Sequence, residues 1–276
     1  IDGDYASFND TEQLAIKRIW QRMAEDYAPF DIDVTTERPA TFTIRTAHAL
    51  ITRRTDASGL PNPADFAGGV AYVNVFNTAS YATYRPAWIY FDNLGPGEES
   101  FIAEAASHEI GHNLGLSHDS CSSCSSGYYG GHGTNDTSWG PIMGTGYHQN
   151  VSQWSKGEYA NANNLEDDLA VMLNYGAVYR VDDHGNTNDT ATQLAGVSFS
   201  TNGVIGQRTD LDFFRFDTGA GRINLTVNRA PRDSNLRIQL TLYAANGTVL
   251  QITNVADATS GTQPVTLTAP LAAGTY

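Results

Sequence analysis

An α+β domain followed by an all-β sandwich domain is the fold class this sequence predicts, and three observations predict it. Helical spacing of apolar residues occupies Thr11–Ala28, and a turn followed by acidic residues starts a second helix from about Glu99 to Leu114. Short runs rich in β-branched and aromatic residues lie between those two helices. After Gly176 only short strands separated by turn signals follow. A chain of 276 residues suits one large domain or two ordinary ones. The change in character puts the boundary near residue 180, with one domain over 1–178 and the other over 179–276.

The first helix shows Leu14, Ile16, Ile19, Trp20, Met23 and Tyr27 largely on one face. Asn9 and Asp10 are suited to cap it, and Pro29 ends it. Strands are expected at Phe30–Val34, Thr41–Thr52, Gly69–Phe76 and Ala87–Phe91. The turn Gly95-Pro96-Gly97 leads into the second helix, where Glu98 and Glu99 suit a helix N-terminus. Ser117–Ser155 is rich in Gly, Ser and Asn. It is too long to be an idle connector, so it either carries function or is pinned by ligands. Lys156–Tyr175 reads as a further long helix on Leu165, Leu169, Val171, Met172 and Leu173. Beyond the polar boundary Asp182–Asp189, strands are expected at Val197–Phe199, Val204–Gly206, Phe213–Phe216, Ile223–Val227, Leu236–Tyr243, Val249–Ile252 and Val265–Leu267. Asn246-Gly247 is among the turns between them.

Acidic residues number 30 against 16 basic, a net charge of -14, which disfavours nucleic acid as a partner. No apolar run is long enough to span a membrane, and the first residues carry no export signal. The two cysteines, Cys121 and Cys124, cannot staple the whole fold and lack the second pair of a four-cysteine zinc site. They lie in a Ser/Gly-rich loop. A small local disulfide in an oxidising compartment is the preferred reading, with two free thiols as the alternative.

The segment His108-Glu109-Ile110-Gly111-His112-Asn113-Leu114-Gly115-Leu116-Ser117-His118-Asp119 carries the chemistry. Residues four apart share a helix face, so His108 and His112 can aim at one point. A catalytic zinc takes three such ligands and keeps one position for water. On an unbroken helix His118 would lie about 9 Å further along the axis. The helix must therefore stop and turn, and Gly115 sits where the turn is needed. Glu109 is rotated about 100° from the ligand direction, beside it, where it can act as general base on the zinc-activated water. The competing reading is a buried helix whose histidines bond backbone. Five such fixed positions would arise by accident on the order of once in 10^5 such sequences, which favours the metal.

This segment resembles the metzincin clan of zinc endopeptidases, and Asp119 after the third histidine is similar to the adamalysin or reprolysin branch. The resemblance implies a twisted mixed β-sheet with two or three long helices. It also implies hydrolysis of peptide bonds in extracellular proteins, with Glu109 passing its proton to the leaving amine. Pro141-Ile142-Met143-Gly144 fits the clan's methionine turn, with Met143 as a floor under the ligands and not a ligand itself. Certain metzincins carry a tyrosine two residues after that methionine. Thr145 stands there in this chain and Tyr147 comes later, so a tyrosine ligand is not expected. Gly69, Val70 and Ala71 resemble the edge strand that pairs with an extended peptide substrate, with an ordinary sheet strand as the alternative. The clan's first strand would precede the first long helix.

Three pieces of the second region resemble the pre-peptidase C-terminal domain of secreted bacterial proteases. They are Asp182–Asn186, Thr209–Phe216 and Leu267–Tyr276. In that family the last element leads into a final strand, so a C-terminally truncated module is expected. Some relatives bind calcium, which makes Asp183, Asn186, Asp189, Asp210 and Asp212 candidate oxygen ligands, against a solvated acidic linker. His48 reads as structural, and His132, His148 and His184 read as solvated. The expectation is a secreted, monomeric enzyme with one catalytic zinc. The alternative is an inactive scaffold of the same clan that serves binding or adhesion.

Overall fold

The computed structural model describes all residues except 1, 2, 5, 135–137, 233 and 255–263. The first helix, α1 (Asp10–Asp26), starts where its cap dictates. Asn9 Oδ1 accepts hydrogen bonds from the Thr11 and Glu12 amides, and Glu12 reaches back to the Asn9 amide at 3.1 Å. One face of α1 packs against a second long helix, α3 (Glu99–Asn113). The pair is tied by an Arg18–Glu99 ion pair of 2.9 Å and by Tyr27 donating to the Ser107 carbonyl.

Three strands form a mixed sheet in the order β1 (His48–Thr52), β3 (Pro86–Tyr90), β2 (Gly69–Val70). β1 runs parallel to β3 with Leu50 opposite Trp88, and β2 runs antiparallel with Gly69 opposite Ile89. A four-residue helix, α2 (Tyr81–Tyr84), precedes β3. Ile89, Tyr81, Ala106, Leu116, Met143 and Met172 form the fully buried centre between sheet and helices. Two short strands, β4 (Trp139–Pro141) and β5 (Val151–Gln153), pair in parallel beyond α3, and the helix α4 (Asp168–Asn174) closes this part.

From Thr192 onward the described elements are strands. β6 (Thr192–Leu194), β7 (Phe214–Thr218) and β12 (Gly274–Thr275) make one sheet. β8 (Gly221–Val227) pairs with β11 (Val265–Leu271), and β9 (Gln239–Tyr243) with β10 (Val249–Asn254). Along β11, Val265, Leu267 and Ala269 are buried and Thr266, Thr268 and Pro270 exposed, the period of two that a half-buried strand requires. The turn between β9 and β10 contains Asn246-Gly247, as the sequence predicts.

Several expectations give way. Lys156–Tyr175 is not one helix: only Asp168–Asn174 is helical, so the long helices are two. Upstream of it the backbone pairs with the loop after His118. Ser122 donates to the Asn161 carbonyl and Asn163 to that of Ser120, and Asn161 sits at φ +60°. Those bonds to another segment replace the i to i−4 bonds of a helix. Phe30–Val34 contributes one bridge, to Tyr179, and no strand. Of Thr41–Thr52 only the last five residues pair, and Val197–Phe199 and Val204–Gly206 pair with nothing that makes them strands. Among the described residues the strand-rich part holds three small sheets around Phe216, Leu242, Leu267 and Ala269.

Candidate metal centre

The helix α3 brings His108 and His112 onto one buried face, their ring centres 4.8 Å apart. It then ends in the motif the sequence demands. The Leu116 amide donates to the Gly111 carbonyl and the Gly115 amide to that of His112, with Gly115 at φ +99°. A Cβ on Gly115 would lie 2.3 Å from the Tyr175 ring, so both dihedral and space require glycine there. The turn returns His118 to its partners. Its ring centre is 4.6 Å from that of His112 and 5.2 Å from that of His108, and the two Nε2 atoms of His112 and His118 are 2.9 Å apart.

The donor set suits a cation. His108 Nδ1 donates to the Ile142 carbonyl and His112 Nδ1 to the Leu116 carbonyl, each at 2.8 Å. A carbonyl only accepts, so both Nδ1 atoms carry the proton and the neutral rings present a lone pair at Nε2. Burial lowers the His108 pKa to about 3, helped by the neighbouring His112, and burial lowers His112 to about 4. Partial burial lowers His118 as well. Neutral imidazole is the ligating form. One atom from each of the three rings lies within 4.8 Å of the others.

Met143 lies beneath the helix between the two ligands: a Cβ on Gly111 would come within 2.7 Å of its sulfur. The turn that carries it is tied to both sides of the centre, since Ile142 holds His108 and the Met143 carbonyl accepts from the Asp119 amide at 2.8 Å. Asp119 is buried and receives Ser155 Oγ at 2.8 Å and Tyr159 Oη at 3.3 Å. It therefore fixes the chain immediately after the third histidine.

The Glu109 side chain is buried and lies against the edge strand. A Cβ on Gly69 would sit 2.8 Å from Glu109 Oε1, so the strand can pass this close only as glycine. Burial alone pushes the Glu109 carboxyl up to about 8, a shift that a cation held by the histidines would oppose. Gly69 and Val70 belong to β2 at the sheet edge, but Ala71 lies outside the strand. The residues after it leave the sheet to satisfy the end of α3. Asn74 and Phe76 donate to the carbonyls of His112 and Asn113, and Asn113 Nδ2 donates to the Tyr72 carbonyl.

Cys121 and Cys124 are joined in a disulfide in the loop that follows His118. Tyr128, on the same loop, brings its hydroxyl within 3.5 Å of His118 Nε2. Sequence reasoning did not single it out, because neither its spacing nor its neighbours form a pattern. Thr145 lies in the methionine turn, and Tyr147 packs on Phe101. His48 is half-buried at the start of β1 and packs on Phe42, His132 bonds Tyr129, and His148 packs on Phe101. His184 is a correction. It is not a solvated side chain but is held between Thr192 Oγ1 at 2.8 Å and the Asn202 carbonyl at 2.7 Å.

Among the described residues the acidic candidates do not all meet. Asp182, Asp210 and Asp212 form one group, and Asp183 and Asp212 form another with His184. Asp189 belongs to neither group. Asn186 donates to Asp182 at 2.7 Å and accepts from the Leu211 amide. Asp182, absent from the expected set, belongs to the cluster through folding alone.

Residues 44–155 match the family model of the reprolysin-type metallo-peptidase family M12. That span takes in the mixed sheet, α3, all three histidines and the methionine turn, and it leaves α1, α4 and the strand-rich part outside. No curated protein and no solved structure matches the chain. The family is zinc-dependent, its members act on proteins, and the His108, His112 and His118 group could hold the metal. Among the described residues no helix is long and apolar enough to cross a membrane.

Proposed function

We propose that this chain is a secreted, monomeric zinc endopeptidase that cleaves peptide bonds of extracellular proteins with Glu109 as general base. The observation that carries the reading is the convergence of three neutral imidazoles beside a buried carboxylate that lies against an edge strand. Bound by His108, His112 and His118, zinc would polarise the scissile carbonyl and make water acidic enough to attack near neutral pH. Glu109 takes the proton of the attacking water and hands it to the leaving amide nitrogen. Gly69 and Val70 offer backbone groups at the open edge of β2 to an extended substrate, while their missing or small side chains leave room for it. The Cys121–Cys124 disulfide supports an oxidising, extracellular setting. The strand-rich part after residue 178 is read as the appended pre-peptidase C-terminal module. If that module binds calcium, as some of its relatives do, Asp182, Asp210 and Asp212 are the candidate oxygen ligands, a group that Asp189 does not join.

Casein hydrolysis that stops with a chelator and returns with zinc tests the activity. Glu109→Ala should keep stoichiometric zinc by metal analysis and lose about 10²–10⁴-fold in kcat. Normal turnover by that variant would refute the assigned base.

A further inference from the structure

We propose that Tyr128 is a further catalytic residue, whose hydroxyl donates a hydrogen bond to the oxygen of the scissile carbonyl as that oxygen becomes negative. The inference rests on the endopeptidase reading and adds a group that the histidine motif does not contain. Its basis is the position of the phenol. The Tyr128 ring lies 4.6 Å from that of His118 and 6.2 Å from that of His108, and its hydroxyl is 3.5 Å from His118 Nε2. Nε2 is the atom that His118 shares with the cluster, so the hydroxyl faces the point on which the three rings converge.

The loop that delivers Tyr128 is held at both ends. On one side the Cys121–Cys124 disulfide closes the turn after His118. On the other, the Tyr129 amide donates to the Asp119 carbonyl at 2.9 Å and the Tyr129 carbonyl accepts from the Thr145 amide at 3.0 Å. The Tyr129 ring stacks on Tyr159 at 4.1 Å. Tyr128 itself exchanges hydrogen bonds with Ser126 through its carbonyl and amide. These bonds tie the loop to the residue after the third histidine and to the methionine turn, the same two segments that position the ligands. A donor fixed before reaction does not have to be ordered during it, which is what makes such a group effective.

The hydroxyl's chemistry fits the role. A phenol is protonated near neutral pH and donates one hydrogen bond, whereas the imidazoles have their N–H groups committed to backbone carbonyls at His108 and His112. Tyr147, a second phenol near Glu109, packs on Phe101 and approaches Gly68, the residue before β2. Tyr128 neither takes nor releases a proton in the step: the proton still passes from water to Glu109 to the leaving nitrogen. Its contribution is to the carbonyl oxygen alone.

The test compares zinc-loaded wild type with Tyr128→Phe, which keeps the ring and its packing on His118. Expected for the variant is a kcat lower by roughly 10²-fold, with KM and zinc affinity by chelator competition unchanged. Affinity for a phosphinic peptide, which mimics the tetrahedral oxyanion, should fall by a comparable factor in calorimetry. Wild-type kcat and phosphinic-peptide affinity in Tyr128→Phe would overturn the proposal. So would loss of zinc, because the phenol would then be serving the metal. If the wild-type protein itself neither held zinc nor cleaved casein, the endopeptidase reading would fall, and this role with it.

Discussion

The molecule gathers potential metal ligands in two regions, and they are built differently. His108 and His112 stand on a helix buried along most of its length, each with one ring nitrogen tied to a backbone carbonyl and the other left pointing inward. The carboxylates of Asp182, Asp183, Asp210 and Asp212 lie on loops, and the first three already serve the backbone. Asp210 accepts from the Gly206 amide at 2.6 Å, Asp182 from the amide of His184 and Asp183 from that of Val204. Asp212 is pushed up to about 6, first by burial and then by Asp183, so the group resists holding its charges together. Closeness of ligands is common to both regions. Asp210 and Asp212 each keep a buried oxygen without a hydrogen-bond partner, so what sets the first region apart is the helix that carries two of its ligands.

The largest effect that would separate the two regions comes from deleting ligands. His112→Ala should abolish stoichiometric zinc and casein cleavage, while the pair Asp210→Asn and Asp212→Asn should leave both intact. The acidic pair should cost only a calcium-dependent rise in Tm, about 1.4 kcal/mol when calcium is ten times its Kd. Zinc analysis and thermal unfolding with and without calcium read both outcomes. Loss of zinc in the acidic variant would break the comparison.

Burial that keeps imidazoles neutral penalises a carboxylate, and Asp168 shows this behind the histidine region. It is fully buried, accepts from the Ser155 amide at 2.8 Å and is raised to about 8, by burial first and then by Asp119. Its folded pKa exceeds the unfolded value near 3.9, so the folded state holds a proton that the unfolded chain has lost. Stability is therefore full below about pH 4 and falls as pH rises towards about 8. Asp168→Asn should flatten that fall, with the Tm difference from wild type growing from pH 4 to pH 8. A constant difference would remove Asp168 from the account.

A further effect concerns the break that returns the third ligand. Gly115→Ala forces a side chain into a left-handed dihedral and against Tyr175. We expect a loss of about 2–3 kcal/mol in urea unfolding, from strain and displacement together. Zinc affinity should weaken with it, because His118 depends on the turn. An unchanged affinity would mean that His118 reaches its partners by another route.

Much of the first region was legible in the residues alone. His108, Glu109, His112, Gly115 and His118 are read from local rules, because helix periodicity and a glycine stop act within a dozen residues. Asn9 as the cap of α1 and Asn246-Gly247 at a strand turn are local in the same way. The misread segments share one cause. Residues 71–76 have the composition of a strand, yet their amides and carbonyls serve the end of α3. Lys156–Asp167 has apolar spacing, yet it pairs with the disulfide loop. A backbone group bonds whichever partner folding brings near, and that partner lies too far along the chain for periodicity to register.

The same division holds for the chemistry. The sequence by itself determined which residues can ligate a metal and which can move a proton, since side-chain type and helical spacing settle both. Only the tertiary structure decided that Gly69 lies against Glu109, that Tyr128 faces His118, and that Asp182 joins the acidic cluster while Asp189 does not. Each of these is a meeting of segments distant along the chain or joined by an irregular loop, fixed by packing and by backbone groups that need partners, and no local pattern records it.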